Sequence, residues 1–547
     1  MLVFHLLVCI LVTAVRAVPE VKVGRTTISG RDITANVEFF GGIPFAEPPV
    51  GALRLRKPVL KVRLNTTTFN ATAYGKSCLQ PPFFGPAPDI SEDCLTISVF
   101  RPAGLKPSAK LPVLLWTYGG AFVIGSSTMY NASELVQRSL DRKTPIIYVN
   151  FNYRLGPLGF PLGQEAHDRR SLNLALEDQI AALEWVQANI HFFGGDKNKV
   201  TIFGESAGAM MTGALYLSPK LERLARGAIL ESGSSNGPSA LSPTANEPVW
   251  QGFVSKVPSC ASVATSGKTF DCLQKAPAEE ISAAVLGANS FPAVAWGPTL
   301  DTGRNSLYPD LASHLYAKGR FAKVPFIAGT NRDEGTLFAS TQPLSEAEIK
   351  AMVAGPNITP GSVLDSVADK ILELYPADPA VGSPYGTGDE LFGFPASYKR
   401  HASLMGDTLF DAPRRMWSQA AAKFGVKNYG YHFTDPQGVP ASGADALFLS
   451  DAVPHAAEIA YVYGQVPPTA GAASQNLSVV MMDYWISFTV SLDPNDGKGV
   501  ERPNWPQYKD KNQVLLQLEG GNTTVVKDDF REEAIGFLNK NAELFNR

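Results

Sequence analysis

The residues best suited to chemistry lie within the segment 199–211. Gly204, Ser206 and Gly208 fit the pattern G-x-S-x-G, with an apolar, β-branched run before it and a helix-forming run after it. In this strand–turn–helix context the pattern predicts a nucleophile elbow, a sharp turn that presents a serine hydroxyl above a sheet. The glycines are needed because so tight a turn leaves no room for Cβ atoms beside the serine.

A second match to the same pattern is centred on Ser235. A plausible strand over 228–232 precedes it, but the following residues, Pro-Ser-Ala-Leu-Ser-Pro over 238–243, are typical of a loop. The context therefore favours Ser206 as the nucleophile, and Ser235 is interpreted as an ordinary turn serine.

A serine nucleophile needs a base to take its proton and an acid to orient that base, and after such an elbow the acid precedes the histidine. Six histidines follow the N-terminal His5. His455 is favoured because it lies in a proline-bounded loop that enters a helix, where an imidazole can point into a site. The others either precede the serine or the best acid, or fall in regular helix or strand patterns: His167, His191, His314, His401 and His432.

The best acid follows a buried strand that ends at Gly329, where the next loop carries Asp333 and Glu334. A carboxylate at the C-terminal end of a strand, between the serine and the histidine in the chain, is placed to orient the base. Spacing alone leaves the choice between Asp333 and Glu334 open.

A further strand, 111–117, runs into the small residues Gly119, Gly120 and Ala121. Small residues there allow backbone N–H groups to face a carbonyl oxygen, which predicts an oxyanion hole. A simple tight turn at 119–120 is the alternative interpretation.

The elements that must position these groups alternate between strand and helix. The runs 111–118 and 145–151 are continuously apolar, as buried parallel strands are, and apolar residues recur at helical spacing over 173–187. This alternation predicts an α/β fold, a mostly parallel sheet with helices on both faces. The more helical stretch 345–425 is expected to be either a cap over the site or extra helices on the sheet, within one large domain.

The composition and the N-terminal residues indicate what class of protein this is. The chain has 547 residues, 45% hydrophobic, with a formal net charge of −3 and no basic run, so neither nucleic acid nor an anionic membrane surface is an expected partner. Residues 2–15 are almost wholly apolar and small residues stand at positions 15 and 17, which predicts a signal peptide over 1–17, although its start lacks Lys or Arg. The run is short for a membrane span, so the prediction is a secreted protein with a single domain over 18–547.

Cysteines and glycosylation sequons agree with export. Four cysteines remain after the signal peptide, and the favoured one of three connectivities pairs neighbours in sequence, Cys78 with Cys94 and Cys260 with Cys272. Six N-x-S/T sequons predict a glycosylated surface, at Asn65, Asn70, Asn131, Asn357, Asn476 and Asn522.

Several segments together resemble the type-B carboxylesterases, the cholinesterase and lipase branch of the α/β-hydrolases. The resemblance is carried by 91–95, 116–122, 152–160, 174–208, 329–335 and the segment around His455. Residues 204–210 and 411–416 are most similar to those of secreted fungal lipases and sterol esterases. The resemblance implies the α/β-hydrolase fold with helical insertions.

The resemblance also implies roles for individual residues. Ser206 would be the nucleophile, Glu334 rather than Asp333 the acid, and His455 the base, while the N–H groups of Gly120, Ala121 and Ala207 would form the oxyanion hole. Ala121 replaces a glycine that is common in the family, which should leave the hole with slightly less room. No metal or organic cofactor is implied.

The substrate is less narrowly defined. The loop that corresponds to 78–94 carries a lid in related lipases and a choline-stacking tryptophan in cholinesterases. Here this loop is short and has no tryptophan, which argues against a cholinesterase and predicts a reduced flap. Phe83 and Phe84 in that loop are candidates for lipid contact, or else they pack on the body of the protein. An apolar acyl pocket is expected from Met210, Leu337, Phe338 and Phe410.

The motifs similar to those of secreted fungal lipases favour a lipase or sterol esterase for long acyl chains, whereas the short loop favours the main alternative. A carboxylesterase for short or aromatic esters, including feruloyl esters, is the main alternative, and a catalytically inactive binding ectodomain is a remote one. The expected partner is a small-molecule or lipid ester, without integral membrane association, and the sequence leaves a homodimer open.

Overall fold

The computed structural model describes residues 18–81, 89–237, 240–286, 296–302, 306–354, 361–437 and 452–547. The expected signal peptide, Phe83, Phe84 and the sequon at Asn357 lie outside these residues.

Most strands of the described chain belong to one large sheet. The strands are β1 (Glu20–Val23), β2 (Thr26–Ser29), β3 (Arg31–Thr34), β4 (Val37–Pro44), β5 (Thr68–Asn70), β6 (Ser77–Cys78), β7 (Ile90–Ser91), β8 (Thr96–Pro102), β9 (Leu111–Thr117), β10 (Ile147–Phe151), β11 (Gly195–Glu205), β12 (Gly227–Glu231), β13 (Phe326–Asn331), β14 (Asn428–Phe433), β15 (Val514–Leu518) and β16 (Thr524–Lys527).

The large sheet has eleven strands in the order β16-β15-β14-β13-β12-β11-β9-β10-β8-β4-β3. From β15 to β10 every neighbouring pair is parallel, whereas β16 at one edge and β8, β4 and β3 at the other pair antiparallel. The expected mostly parallel sheet is therefore confirmed. The two small sheets are β1-β2-β5 and β6-β7.

The central strands are buried on both faces. Every residue of β10, β12 and β13 is buried, and successive side chains of a strand point to opposite faces, so other elements cover each face of the sheet. This explains why these strands are continuous apolar runs in the sequence rather than alternating ones.

Seventeen α-helices lie in the described part of the chain. They are α1 (Ser133–Asp141), α2 (Gly156–Gly159), α3 (Gly163–Asp168), α4 (Leu174–Asn189), α5 (Ala207–Leu215), α6 (Leu221–Leu224), α7 (Glu247–Ser255), α8 (Phe270–Leu273), α9 (Ala278–Leu286), α10 (Ala312–Ala317), α11 (Glu346–Ala354), α12 (Gly361–Leu374), α13 (Ser397–Gly406), α14 (Ala412–Lys423), α15 (Ile459–Val462), α16 (Gly471–Ser491) and α17 (Glu532–Lys540).

The helices agree with the sequence patterns. Helix α4 occupies the stretch where apolar residues recur at helical spacing, and α11 to α14 account for the helical character of 345–425. Within the described ranges, no helix combines the length and apolarity needed to cross a bilayer.

Two disulfides and one buried arginine hold the margin of the domain together. Cys78 is bonded to Cys94 and Cys260 to Cys272, which is the pairing between sequence neighbours. Arg54 donates two hydrogen bonds to the carboxylate of Glu92, inside the first disulfide loop, and a third to the carbonyl of Ala276, just beyond the second. One buried guanidinium thus links the first disulfide loop to the chain just after the second.

The first disulfide should contribute measurably to stability, because closing its 16-residue loop restricts the unfolded chain. Replacing both Cys78 and Cys94 by alanine is expected to lower the free energy of unfolding by about 3 kcal/mol, as the loop-entropy model predicts. Urea unfolding followed by tryptophan fluorescence measures the loss. The paired variant of Cys260 and Cys272, which opens a 12-residue loop, should lose nearly as much; an unchanged midpoint for the first pair would contradict the expectation.

Candidate active site

Ser206 lies at the turn between β11 and α5, in a backbone conformation that side chains rarely adopt. Its φ is 53° and its ψ is −126°. The turn is fixed on both sides: the Ser206 N–H donates to the carbonyl of Glu231 at 2.9 Å, and its carbonyl accepts from the N–H of Met210 at 2.8 Å. The strand–turn–helix expected around this serine is therefore present, with the residue only 8% exposed.

Glycines at the turn allow backbone to pack against backbone. A Cβ atom on Gly208 would lie 2.0 Å from the carbonyl oxygen of Thr117, and one on Gly204 would lie 2.7 Å from the same oxygen. A Cβ on Gly119 would lie 2.8 Å from the Cβ of Ser206. The end of β9 and the loop after it are thus pressed directly against the serine.

The loop after β9 presents unpaired N–H groups. Gly120, Ala121 and Phe122 all have positive φ, at 107°, 52° and 65°, so the loop turns sharply beside the serine. The carbonyl of Gly120 accepts hydrogen bonds from the N–H groups of two following residues, 123 and 124, both at 3.0 Å. The N–H groups of Gly120, Ala121 and Ala207 donate no hydrogen bond to any of the described residues.

The structure separates the two candidate acids. Glu334 opens a 3₁₀ turn just after β13; its Oε1 accepts from the N–H of Asn331 at 2.8 Å, and its Oε2 lies 2.5 Å from Nδ1 of His455. Asp333 points elsewhere. Its carboxylate accepts hydrogen bonds from one hydroxyl and two backbone N–H groups, those of Ser383, Tyr385 and Val453. Glu334 faces the imidazole, whereas Asp333 ties surrounding loops together.

His455 is buried between two carboxylates. On one side is Glu334, and on the other Nε2 lies 3.0 Å from Oε1 of Glu205, the residue that precedes Ser206. Within the described residues, no hydrogen bond joins the Ser206 hydroxyl to Nε2 of His455. The structure therefore brings the expected acid and base together and places the base over the elbow, with its second nitrogen toward the neighbour of the expected nucleophile.

Buried charge dominates the electrostatics of this region. Burial lowers the pKa of an imidazole, but here the negative charges of Glu205 and Glu334 outweigh burial and raise the pKa of His455 to about 9. Burial raises the pKa values of the carboxyl groups of Glu205, Glu231 and Glu458, and repulsion by neighbouring carboxylates adds to that effect. The proton on His455 is consequently held more tightly than on an isolated histidine, although Nε2 of His455 and Oε1 of Glu205 form no hydrogen bond within the described residues.

Four polar residues around this centre are not among those that the sequence predicts: Glu205, Glu231, Asn331 and Glu458. Asn331 donates through Nδ2 to Glu458 at 2.6 Å and to the carbonyl of Pro454 at 2.9 Å, so it fixes the turn that carries the histidine. Glu231, at the end of β12, accepts from the indole N–H of Trp485 at 2.6 Å. The sequence gives only weak signals that these residues belong to the site: Glu205 stands inside the serine pattern, and Glu458 follows the histidine by three residues.

Aromatic side chains cover the other faces of the imidazole. The ring of Phe410 lies 4.5 Å from that of His455 and the ring of Phe338 lies 5.1 Å away, centroid to centroid. Met210 extends from the helix after Ser206 toward the segment that carries Phe410. A Cβ atom added to Gly237 would lie 2.9 Å from the terminal methyl of Met210 and 3.1 Å from the carbonyl of residue 409, so both border the same glycine. Of the four expected pocket residues, Phe338 and Phe410 lie beside the imidazole and Met210 is buried, while Leu337 is half-buried at the end of the 3₁₀ turn.

The remaining candidates lie away from this centre. Ser235 is buried in a turn, with its hydroxyl paired to that of Tyr316 and its carbonyl accepting from Tyr308. His401 is in helix α13, where it accepts from the N–H of residue 340, and His432 is in strand β14. Ser235 thus remains an interior turn residue.

Comparison with known proteins gives one consistent result. The profile of a family described as the carboxylesterase family matches residues 17–538. Secreted lipase 1 of Botryotinia fuckeliana is 34% identical, over 93% of this chain and 91% of its own length, and the secreted triacylglycerol lipase LIP1 of Gibberella zeae is 33% identical, over 93% and 88%. The crystal structure of Aspergillus niger EstA superposes with a TM-score of 0.81 at 28% identity, covering 97% of this chain and 99% of EstA.

The contact between the elbow and β9 should tolerate no side chain. In Gly208→Ala the new methyl would meet the Thr117 carbonyl at 2.0 Å. Because neither backbone can yield cheaply, we expect a loss of roughly 1–3 kcal/mol in stability together with loss of hydrolysis. Thermal unfolding and esterase assays measure the two effects.

A glycine in open space supplies the matched control for this substitution. A Cβ atom added to Gly252 in α7 would meet no atom of the described residues within 4 Å. Gly252→Ala should therefore keep full activity and gain about 1 kcal/mol from helix propensity. Wild-type stability and activity in Gly208→Ala would show that residue 208 does not lie this close to the Thr117 carbonyl.

Proposed function

Because the chain belongs to the carboxylesterase family and is a carboxylic ester hydrolase, we propose that it is a lipase-type enzyme working through Ser206, His455 and Glu334. Ser206 attacks the ester carbonyl while His455 takes its proton through Nε2. Glu334, hydrogen-bonded to Nδ1, holds the imidazole in orientation and stabilises its charged form. The alcohol leaves with that proton, and water repeats the sequence on the acyl-enzyme.

The backbone stabilises the charge that develops on the carbonyl oxygen. The proposed donors are the N–H groups of Gly120 and Ala121, in the loop that packs against Ser206 through Gly119, and of Ala207, the next residue in the chain. These groups have no acceptor among the described residues. Unpaired N–H groups held rigidly beside a nucleophile are suited to an oxyanion, and each typically contributes about 3 kcal/mol to the stability of the transition state.

The observation that carries the proposal is the 2.5 Å contact between Glu334 and His455, directly over the serine elbow. The second nitrogen of His455 is turned toward Glu205, one residue from Ser206. In the proposed relay Nε2 of His455 accepts from the Ser206 hydroxyl, and such hydrogen bonds often tighten only when substrate is bound.

Long acyl chains are the proposed substrate preference. The rings of Phe338 and Phe410 lie beside His455, and Met210 is buried on the helix that follows Ser206. The Botryotinia and Gibberella relatives are named as lipases. Burial of an acyl chain against such side chains contributes about 0.8 kcal/mol per methylene. Longer acyl chains therefore gain more binding free energy, for each methylene that the pocket encloses.

A preference for short-chain esters is favoured by one observation, the short disulfide loop. Only fifteen residues, 79–93, separate Cys78 from Cys94. A reduced flap leaves less apolar surface to enclose a long chain. The second candidate is accordingly a carboxylesterase for short or aromatic esters.

We also infer that residues 1–17 are a signal peptide, that the protein is secreted as one domain over 18–547, and that exposed sequons carry glycans. Two disulfides fit an oxidising compartment. Five of the sequon asparagines are exposed, so a glycan on any of them would extend into solvent: Asn65, Asn70, Asn131, Asn476 and Asn522.

A series of p-nitrophenyl esters from acetate to palmitate tests the function and its substrate. We expect kcat/KM to rise toward the long esters, and Ser206→Ala to remove hydrolysis by several orders of magnitude while thermal unfolding is unchanged. A maximum at acetate or butyrate would favour the short-chain carboxylesterase. Wild-type turnover in Ser206→Ala would contradict the assigned nucleophile.

The pH dependence should reveal the effect of the Glu205 charge on His455. A neutral imidazole is needed as the base, and the negative charge of Glu205 helps to raise the pKa of His455. Glu205→Gln removes that charge, so the pKa falls, neutral His455 persists to lower pH, and the acid limb of the kcat/KM profile should move down by about one unit or more. An unmoved limb, or one moved to higher pH, would contradict this effect of the Glu205 charge.

A further inference from the structure

The helix that carries Phe410 changes its winding at the active site. Between α13 and α14 the residues Asp407–Asp411 form a π-helical turn, a rare conformation that is frequent at functional sites. The turn places the Phe410 ring 4.5 Å from His455, while Asp407 and Asp411 on the same turn are fully buried. The wider turn and the burial of two carboxylates both cost free energy, so other side chains must stabilise them.

Arg531 supplies that anchor. Its Nε donates to Asp407 at 2.8 Å, and its Nη2 donates to Asp407 at 2.6 Å and to Asp411 at 2.9 Å. The guanidinium therefore bridges the first and last residues of the π-turn, a task that suits its planar, multi-donor shape. Tyr375 adds a hydroxyl hydrogen bond to Asp407 at 2.7 Å.

The same turn is tied to the strand that carries the acid loop. Thr330 in β13 donates from its hydroxyl to Asp411 at 2.6 Å, and the next residue is Asn331, which holds both the acid and the turn of the histidine. A Cβ on Gly335 would lie 1.8 Å from the Ala402 carbonyl, so the acid turn and α13 pack backbone to backbone. The arginine, the π-turn and the acid–base pair thus form one continuous set of contacts.

From these contacts we propose that Arg531 is a positioning residue for ester hydrolysis, acting through Phe410 on His455. The inference rests on the proposed function, in which His455 is the base. By bridging Asp407 and Asp411, Arg531 fixes the π-turn, and the Phe410 ring then confines the imidazole between the acid and the serine elbow. Arg531 itself does not touch the substrate.

The surroundings of Arg531 allow a direct test by chemical rescue. Its side chain is 22% exposed, lies over the Tyr385 ring at 4.3 Å, and lines a cavity of about 410 Å³ together with Tyr375 and Tyr385. In Arg531→Ala the vacated space joins this cavity, so a free guanidinium ion can enter and bridge the two carboxylates.

The experiment measures kcat per active serine, with the number of active serines titrated by a fluorophosphonate. The wild type is titrated first, because failure of the wild type to turn over would end the proposed function, not this inference alone. We expect Arg531→Ala to lower kcat roughly ten- to a hundredfold, as misplaced catalytic groups do, with a smaller effect on KM for a short ester. Guanidinium well below denaturing concentrations should restore part of kcat.

Two further variants keep the test decisive if Arg531→Ala does not fold. Arg531→Lys retains the cation but cannot bridge both carboxylates, and it should give an intermediate kcat. In a double-variant cycle, Arg531→Lys should cost nothing more in kcat when Phe410→Ala is already present, because its effect passes through Phe410.

The matched control is another buried arginine pair. Arg101 on β8 donates to Glu38 on β4 at 2.8 Å, with both side chains 5% exposed. Arg101→Ala should lower stability without changing kcat per active serine. Equal losses of kcat in the two alanine variants, additive effects of Arg531→Lys and Phe410→Ala, or wild-type kcat in Arg531→Ala would each overturn the proposal.

Discussion

The architecture of this protein depends on one buried imidazole held between two carboxylates. A charge in a protein interior is tolerated only when it is paired and hydrogen-bonded, and His455 meets Glu334 at 2.5 Å and Glu205 at 3.0 Å. Those carboxylates come from opposite sides of the site, one from the loop after β13 and the other from the end of β11. The histidine therefore links the ends of two strands, β11 and β13, which β12 separates in the sheet.

The catalytic groups can be predicted from the sequence to the extent that local geometry dictates them. The turn at Ser206 requires glycines at fixed offsets, and the buried parallel strands require continuous apolar runs, so both are visible as patterns. The choice between Asp333 and Glu334 is not visible in spacing, because it depends on which side chain turns inward. In the structure the Asp333 carboxylate is engaged by residues 383, 385 and 453, which leaves Glu334 to face His455.

The features that the sequence does not predict are long-range and electrostatic. Glu231 and Glu458 are ordinary acidic residues in the chain, and their burial beside Glu205 follows only from the way β12 and the histidine turn converge. The antiparallel pairing at the sheet edges is likewise unpredictable, because a short run does not specify the direction of its neighbour. The π-turn at Asp407–Asp411 arises between two normal helical segments and has no periodicity that would announce it.

The role of Arg531 has a consequence for the order in which the molecule becomes active. The serine, acid and histidine stand at positions 206, 334 and 455, yet the clamp on Phe410 comes from a residue later than all of them. A nascent chain can complete most of the large sheet before residue 531 has been synthesised, and domains commonly begin to fold during synthesis. Such a chain would carry every reacting group and still lack the anchor of the π-turn. Full catalytic activity would then arrive as one of the last events of biogenesis, so that the ester hydrolase works only weakly while it is still being made.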